Sequence, residues 1–213
     1  MNRRFLVFGA AATSAAAFAG AAWYFGRSPE PVASIPNATN DPMVRPYSPV
    51  IGPPNAAVTI VEFFDPACEA CRAFHPIVKQ IVAAFPGKVR VVLRYTAFHP
   101  SSKEAITILE TARLQGVFAP VLEALLDAQP RWAPHGRTPE NAWAFAEKAG
   151  LNIARAKREA NSPTIISTIE QDAADVASLG IRGTPTFFVN GKPLPKFGAQ
   201  QLYDLVKQEV DAL

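Results

Sequence analysis

The sequence predicts an α/β domain in which a strand–helix–strand half and a hairpin–helix half are separated by a helical insertion. Two β-branched and aromatic runs, Val58–Phe64 and Val89–Tyr95, flank a segment with helical periodicity. Helical patterns then fill residues 101–179. A third short apolar run, Thr186–Val189, comes only after them and is followed by an Asn-Gly turn signal. The order of these patterns therefore predicts a sheet whose strands come from both ends of the domain.

The strand at Val58–Phe64 is expected to be buried on both faces, because apolar residues occupy nearly every position. The helix after it is indicated by an apolar stripe at i, i+3, i+4 and i+7 spacing, which ends at Pro86-Gly87. A crossover helix between two strands predicts that Val89–Tyr95 runs parallel to the first strand. Residues 200–210 are expected to form a closing helix.

The composition allows a packed core and argues against nucleic-acid binding. Of the 213 residues, 49% are hydrophobic and 18% are charged, which provides enough apolar material for a folded domain. There are 21 basic and 18 acidic residues, and the basic excess falls from three to one without Arg3 and Arg4. A nearly neutral chain without a run of Lys or Arg lacks the basic surface that nucleic acid requires.

Residues 1–26 predict an export signal or an N-terminal membrane anchor. Two arginines precede an uncharged, alanine-rich run at residues 5–25. Ala17-Phe18-Ala19 fits a signal cleavage site. An uncut run of this length would also reach the roughly 20 residues needed to span a bilayer. Both alternatives predict a periplasmic or other extracytoplasmic domain, free or anchored to the inner membrane.

Residues 27–54 predict a proline-rich linker. Eight prolines fall between positions 29 and 54. Proline fixes φ and removes a backbone donor, so such a segment favours an extended conformation. We therefore expect the folded domain to cover residues 55–213.

The only two cysteines form a C-x-x-C pattern between the first strand and the helix, at Cys68 and Cys71. One helical turn separates them, so the two sulfurs can form a disulfide, and this location is typical of a redox motif. Cys68 lies at the helix N-terminus, where unpaired N–H groups and the helix dipole lower the pKa of a thiol. We expect Cys68 to attack a disulfide and Cys71 to release the resulting mixed disulfide.

Metal binding is the main alternative for the cysteine pair. A c-type haem site is excluded, because Arg72 rather than histidine follows the second cysteine. Zinc or copper would need further ligands from the three histidines, His75, His99 and His135. A copper site on the two cysteines with His75 or His99 stays open, as does a chaperone without redox activity.

Residues 63–71, Phe-Phe-Asp-Pro-Ala-Cys-Glu-Ala-Cys, resemble the active-site segment of thioredoxin-fold disulfide oxidoreductases. Pro76 occupies the place of their helix-kinking proline, and Gly183-Thr184-Pro185-Thr186 is similar to their cis-proline loop. The helical insertion makes the chain similar to the DsbA-like branch. The resemblance implies a thioredoxin fold with a helical insertion and a protein disulfide oxidoreductase that uses no cofactor.

The resemblance also implies roles for three further residues. Pro185 would be cis beside the sulfurs, and the backbone at Thr184 would pair with a substrate segment as an added strand. Glu62 matches the buried acidic residue that accepts a proton from Cys71. Its position in a buried strand predicts a raised pKa. A salt bridge from Glu62 to Arg90 or Arg94 is the alternative.

Glu69-Ala70 between the cysteines departs from the family pattern, because strong oxidases resemble one another in having Pro-His or Pro-Tyr there. A histidine helps to hold the thiolate, whereas a carboxylate beside Cys68 opposes its ionisation. We therefore expect a Cys68 pKa nearer about 7 than about 3.5, and a less oxidising disulfide. The implied partners are client proteins with cysteines and a membrane protein that reoxidises or reduces the pair, and the direction of exchange stays open.

Overall fold

A five-stranded mixed sheet organises residues 41–213, the part of the chain that the computed structural model describes. Strands β2 and β3 are parallel neighbours, and every other neighbouring pair is antiparallel. In the order β1-β3-β2-β4-β5, the strands are β1 (Val50–Ile51), β2 (Val58–Phe64), β3 (Val89–Tyr95), β4 (Thr186–Val189) and β5 (Lys192–Pro193). The central strand β2 thus joins the two halves of the domain.

Eight helices lie within the described residues. One, α1 (Glu69–Ala84), connects β2 to β3, and another, α8 (Ala199–Asp211), closes the chain. The other six form the insertion between β3 and β4: α2 (Ser102–Leu114), α3 (Phe118–Asp127), α4 (Gln129–Trp132), α5 (Ala142–Lys148), α6 (Ile153–Glu159) and α7 (Pro163–Ser178). The predicted α/β architecture with a helical insertion is confirmed. None of these helices, all within residues 41–213, combines the length and apolar character of a membrane span.

Strand β2 is buried on both faces, as predicted. On one face, Ile60 and Phe64 belong to the core cluster that includes apolar residues of α1 and α8. On the opposite face, Val61 and Phe63 pack with Val176 and with other apolar residues near the end of α7. Alternation along the strand therefore contributes to two cores, which is why hardly any polar residue is tolerated in it.

A buried ion pair ties the insertion to the sheet. Arg94 on β3 is fully buried and donates to Asp172 and Asp175 of α7 at 2.6 and 2.7 Å. The backbone N–H of Tyr95 also donates to Asp172, at 2.8 Å. Buried charges destabilise a fold unless they are paired and hydrogen-bonded, so this arrangement fixes where α7 crosses the sheet.

The expected domain boundary at residue 55 is wrong, because residues 41–54 pack on the domain. Strand β1 pairs with β3, and Arg45 and Tyr47 hydrogen-bond to the two aspartates of α7. Prolines are compatible with this segment because β1 is a two-residue edge strand that needs few backbone donors. The predicted signal or anchor at residues 1–26 and the first part of the predicted linker lie outside the described residues.

The C-terminal half follows its prediction closely. Asn190 and Gly191 have φ values of 47° and 78° and join β4 to β5. Two consecutive residues with positive φ are the geometry of a tight hairpin turn. The antiparallel pairing of β4 with β2, in which Phe63 lies opposite Thr186, places the residues just before β4 next to the carboxyl end of β2.

Candidate active site

The loop between β2 and α1 is ordered by the side chain of Asp65. Asp65 Oδ1 accepts a hydrogen bond from the N–H of Ala67 at 2.8 Å, and the carbonyl of Asp65 accepts one from the N–H of Cys68 at 3.0 Å. These two bonds turn the chain so that Cys68 becomes the N-cap of α1. The first cysteine therefore sits at the positive end of the helix dipole, as the sequence predicts.

The two cysteines are free thiols with different surroundings. Cys68 is 8% exposed and its Sγ donates to the carbonyl of Thr184 at 3.3 Å. Cys71 is 0% exposed, and its Sγ accepts a hydrogen bond from the N–H of Asp65 at 3.4 Å. Only Cys68 can be reached by a sulfur of another protein without a rearrangement of the helix.

The surroundings also separate the acidities of the two thiols. The pKa of Cys68 is lowered to about 5, because the Cys71 thiol and the N–H groups of Cys71 and Ala70 donate to its thiolate. The pKa of Cys71 is raised, chiefly by burial and also by its hydrogen bond to Cys68 and the charge of Glu62. At neutral pH the accessible sulfur is a thiolate and the buried one is a thiol.

The pKa of Cys68 is lower than the value near 7 expected from the sequence. The expectation assumed that the carboxylate of Glu69 acts on the neighbouring sulfur. In the structure, that carboxylate is half-exposed and is hydrogen-bonded to the ring of His135, which follows α4. The ring of His135 therefore holds the carboxylate of Glu69, and the hydrogen bonds from Cys71 and Ala70 to the Cys68 thiolate keep the pKa of Cys68 low.

Glu62 is buried without an ionic partner among residues 41–213. It is 2% exposed, and its Oε1 has no hydrogen-bond partner. The alternative salt bridges are not formed, because Arg94 pairs with α7 and Arg90 donates to the hydroxyl of Thr59 and the carbonyl of Pro54. Burial, and secondarily the charge of Cys68, raises the pKa of Glu62 to about 8.

The loop before β4 completes the site. The Thr184–Pro185 peptide bond is cis, as the resemblance implies. A cavity of about 370 Å³ opens beside it and is lined mainly by apolar groups, including Ala70, Phe187 and Leu194. Phe197 at its rim is 53% exposed. The structure thus brings Cys68, Cys71, Glu62, Thr184 and Pro185 together at one end of the sheet.

Two residues of this site carry no functional assignment from the sequence. The Gln129 side chain donates to the carbonyls of Pro66 and Cys68 at 2.8 and 2.9 Å, which braces the redox loop from the insertion. His99, considered above only as a metal ligand, lies with Nδ1 2.8 Å from Asp65 Oδ2. Asp65 and His99 follow neighbouring parallel strands, and this order in the sequence could have predicted that they lie close together at one edge of the sheet. No sequence pattern indicated a role for Gln129.

The metal alternative depends on His75 and His99, whose rings the structure pairs with carboxylates. The Nε2 of His75 lies 2.9 Å from Glu123, and the ring of His99 is bound to Asp65. Within residues 41–213, no three or more His, Cys, Asp or Glu side chains are grouped as metal ligands.

A family model described as thioredoxin matches residues 45–210. The chain belongs to the thioredoxin family. A thioredoxin-like oxidoreductase from Silicibacter pomeroyi DSS-3 is 30% identical, with a TM-score of 0.69, covering 83% of this chain and 100% of that one. The oxidised form of BdbD from Bacillus subtilis is 26% identical, with a TM-score of 0.68, covering 77% and 93% of the two chains. These neighbours confirm the thioredoxin-like fold of DsbA-type thiol-disulfide oxidoreductases.

This thioredoxin-family chain also matches part of a longer protein that is named as an antiporter. The Na(+)/H(+) antiporter NhaA of Herminiimonas arsenicoxydans is 30% identical over 165 residues, which cover 78% of this chain and 26% of that protein. The chain therefore spans about a quarter of the antiporter it matches.

Proposed function

We propose that this thioredoxin-family chain is an extracytoplasmic protein disulfide oxidoreductase that exchanges the Cys68–Cys71 disulfide with client proteins. The observation that carries the proposal is the contrast between the two sulfurs. Cys68 is accessible with a pKa lowered to about 5, whereas Cys71 is fully buried with a raised pKa. Such a pair can form a mixed disulfide at one sulfur and resolve it with the other.

In the oxidising direction, a client thiolate attacks Cys68 Sγ of the disulfide, and the S–S bond breaks with its electron pair on Cys71. The Cys71 sulfur then takes a proton, for which protonated Glu62 is the proposed donor. A second client thiolate attacks the client sulfur of the mixed disulfide, and Cys68 leaves as a thiolate. The client gains one disulfide, and the chain gains two electrons and becomes the dithiol.

The reducing direction reverses these steps and needs a base for Cys71. The Cys68 thiolate attacks a client disulfide, and Cys71 must lose its proton before it can attack Cys68. Glu62, with a pKa near 8, holds and releases a proton close to neutral pH. The charge of Glu62 contributes to the raised pKa of Cys71, so the two groups are close enough to interact.

The low pKa of Cys68 favours oxidation as the physiological direction. A stabilised thiolate stabilises the reduced chain, and a reduced form of low energy makes the disulfide a stronger oxidant. A membrane redox partner would then restore the disulfide. The export signal or anchor predicted in residues 1–26 supports a location where such a partner is available.

Substrate binding is proposed at the loop before β4. The carbonyl of Thr184, which lies 3.3 Å from Cys68 Sγ, would pair with the backbone of a client segment. The apolar cavity beside Pro185 would take an adjacent client side chain.

The test uses the full chain, equilibrated in glutathione buffers and then mixed with a reduced, unfolded protein that has two cysteines. We expect the client to gain a disulfide as the chain loses its own. Reduced Cys71→Ser, mixed with the same client in its disulfide form, should accumulate a mixed disulfide because the resolving thiol is missing, and reduced Cys68→Ser should form none. A wild-type chain that exchanges with glutathione but transfers nothing to the client would contradict a role with protein substrates.

A further inference from the structure

The carboxylate of Asp65 lies at the centre of a hydrogen-bond network under the redox loop. It is fully buried, and its two oxygens accept four hydrogen bonds. The donors are the N–H groups of Ala67 and Phe98, the hydroxyl of Ser102 and the ring of His99, at 2.6 to 2.8 Å. A carboxylate with every acceptor position occupied has one orientation, so each of its partners is held in place.

The same residue touches both cysteines through its backbone. Its carbonyl accepts from the N–H of Cys68, and its N–H donates to the sulfur of Cys71. Asp65 therefore links His99 to the cysteines: its carboxylate binds the imidazole of His99, and its main chain binds Cys68 and Cys71. With 33% of its side chain exposed, His99 is open to solvent on one side and can exchange protons.

We propose that His99, held by Asp65, supplies the positive charge that stabilises the Cys68 thiolate. This inference rests on the proposed function of the same site. It assigns to a residue after β3 the effect that a histidine between the cysteines has in strong oxidases of the family. In this chain that position holds alanine, Ala70, next to Glu69.

The charges around His99 fit this assignment. Burial lowers its pKa, but the hydrogen bond to Asp65 and the charges of Asp65, Cys68 and Glu69 outweigh burial and raise it. These are the charged groups that act on the ring, from the loop after β2 and from the start of α1. Without the imidazolium, the negative charge of Asp65 would face the thiolate uncompensated, and the pKa of Cys68 would rise.

The test compares His99→Asn, which removes the charge, with His99→Lys, which keeps one. His75→Asn is the matched control, because His75 also pairs with a carboxylate, at 2.9 Å from Glu123. Thiolate absorbance of the reduced full chain is followed against pH. Because the chain has only two cysteines and Cys71 stays a thiol, the signal near neutral pH reports Cys68.

We expect His99→Asn to raise the pKa of Cys68 by about one, the lower end of the effect of an opposite charge at close range. At pH 7 its equilibrium with glutathione should shift about tenfold toward a weaker oxidant, which corresponds to about 30 mV. His99→Lys and His75→Asn should stay near the wild type. The difference in the glutathione equilibrium between His99→Asn and the wild type should disappear at alkaline pH, because His99 of the wild type is then uncharged.

An unchanged Cys68 pKa in His99→Asn overturns the proposal, and so does a His99→Lys variant that behaves like His99→Asn. If the substitutions prevent folding, the unaltered chain still decides. Its rate of Cys68 alkylation should show a second step against pH where His99 loses its proton, and a single step overturns the proposal. These titrations need no client protein, so a failure of client exchange would contradict only the proposed function.

Discussion

Replacing Glu62 with glutamine should remove a pH-dependent loss of stability that the buried carboxyl imposes on the fold. Burial raises the pKa of Glu62 from 4.5 to about 8, so the folded chain holds a proton that the unfolded chain releases. A group with a raised folded pKa contributes most stability below its unfolded pKa and loses it as pH rises through the folded pKa. For Glu62 this window runs from about pH 4.5 to about pH 8.

The size of the effect follows from 1.36 kcal/mol per pH unit within that window. Between pH 5 and pH 8, the wild-type chain should lose about 3 kcal/mol of unfolding free energy through Glu62 alone. Glutamine has the same shape and does not titrate. Its amide donors would lack partners at this buried position, which costs about 1–3 kcal/mol, but that cost is independent of pH.

The decisive quantity is therefore the difference between variant and wild type as a function of pH. Urea unfolding of the reduced full chain at pH 5, 6.5 and 8 measures it. With a urea slope of about 2 kcal/mol per molar, the midpoint difference should move by about 1.5 M in favour of Glu62→Gln across this range. Glu140→Gln, at an exposed position, is the control and should follow the wild type. A midpoint difference for Glu62→Gln that stays constant with pH would refute the assignment of a raised pKa to this carboxyl.

Three other substitutions test the surroundings of the site. Arg94→Ala leaves Asp172 of α7 buried without an ionic partner, because Arg45 pairs with Asp175, so urea unfolding should show a loss of about 3–5 kcal/mol. Arg131→Ala, at an exposed pair, should cost less than about 1 kcal/mol. Gln129→Ala removes the donor to two loop carbonyls and should lower the free energy of unfolding by about 1–3 kcal/mol. Amide hydrogen exchange should become faster in the redox loop alone, and unchanged exchange there would contradict the bracing role of Gln129. Glu69→Gln should lower the pKa of Cys68 by less than about 0.5 in a thiolate titration, because the carboxylate is half-exposed and already paired; a larger drop would mean that it does act on the sulfur.

The local elements of the fold could be predicted because their signals lie close together in the chain. Strand β2 is visible as a run of apolar residues, and the helix after it as a stripe that repeats every three or four positions. The C-x-x-C spacing and its place at the start of α1 need only a few neighbouring residues. The burial of Glu62 also followed from its strand, because both faces of a strand inside a continuous apolar run are covered by other elements.

Interactions between distant segments could not be predicted in this way. The proline content of residues 41–54 indicated a linker, but Arg45 and Tyr47 form hydrogen bonds to buried carboxylates of α7, more than 120 residues later in the chain. Periodicity located the helices of the insertion without showing which of them would cover the redox loop, so Gln129 could not be recognised. The acidity of Cys68 also depended on the direction of one side chain, because Glu69 turns toward His135.

The amino-acid sequence alone thus determined strands β2, β3 and β4, the redox helix and the identity of the two reactive thiols, because these depend on residues that are neighbours along the chain. The folded structure was needed to show that Asp65 joins His99 to the cysteines and that the N-terminal segment is clamped by α7. Those contacts arise where the carboxyl ends of parallel strands and a distant helix meet, and their geometry is set by packing between elements.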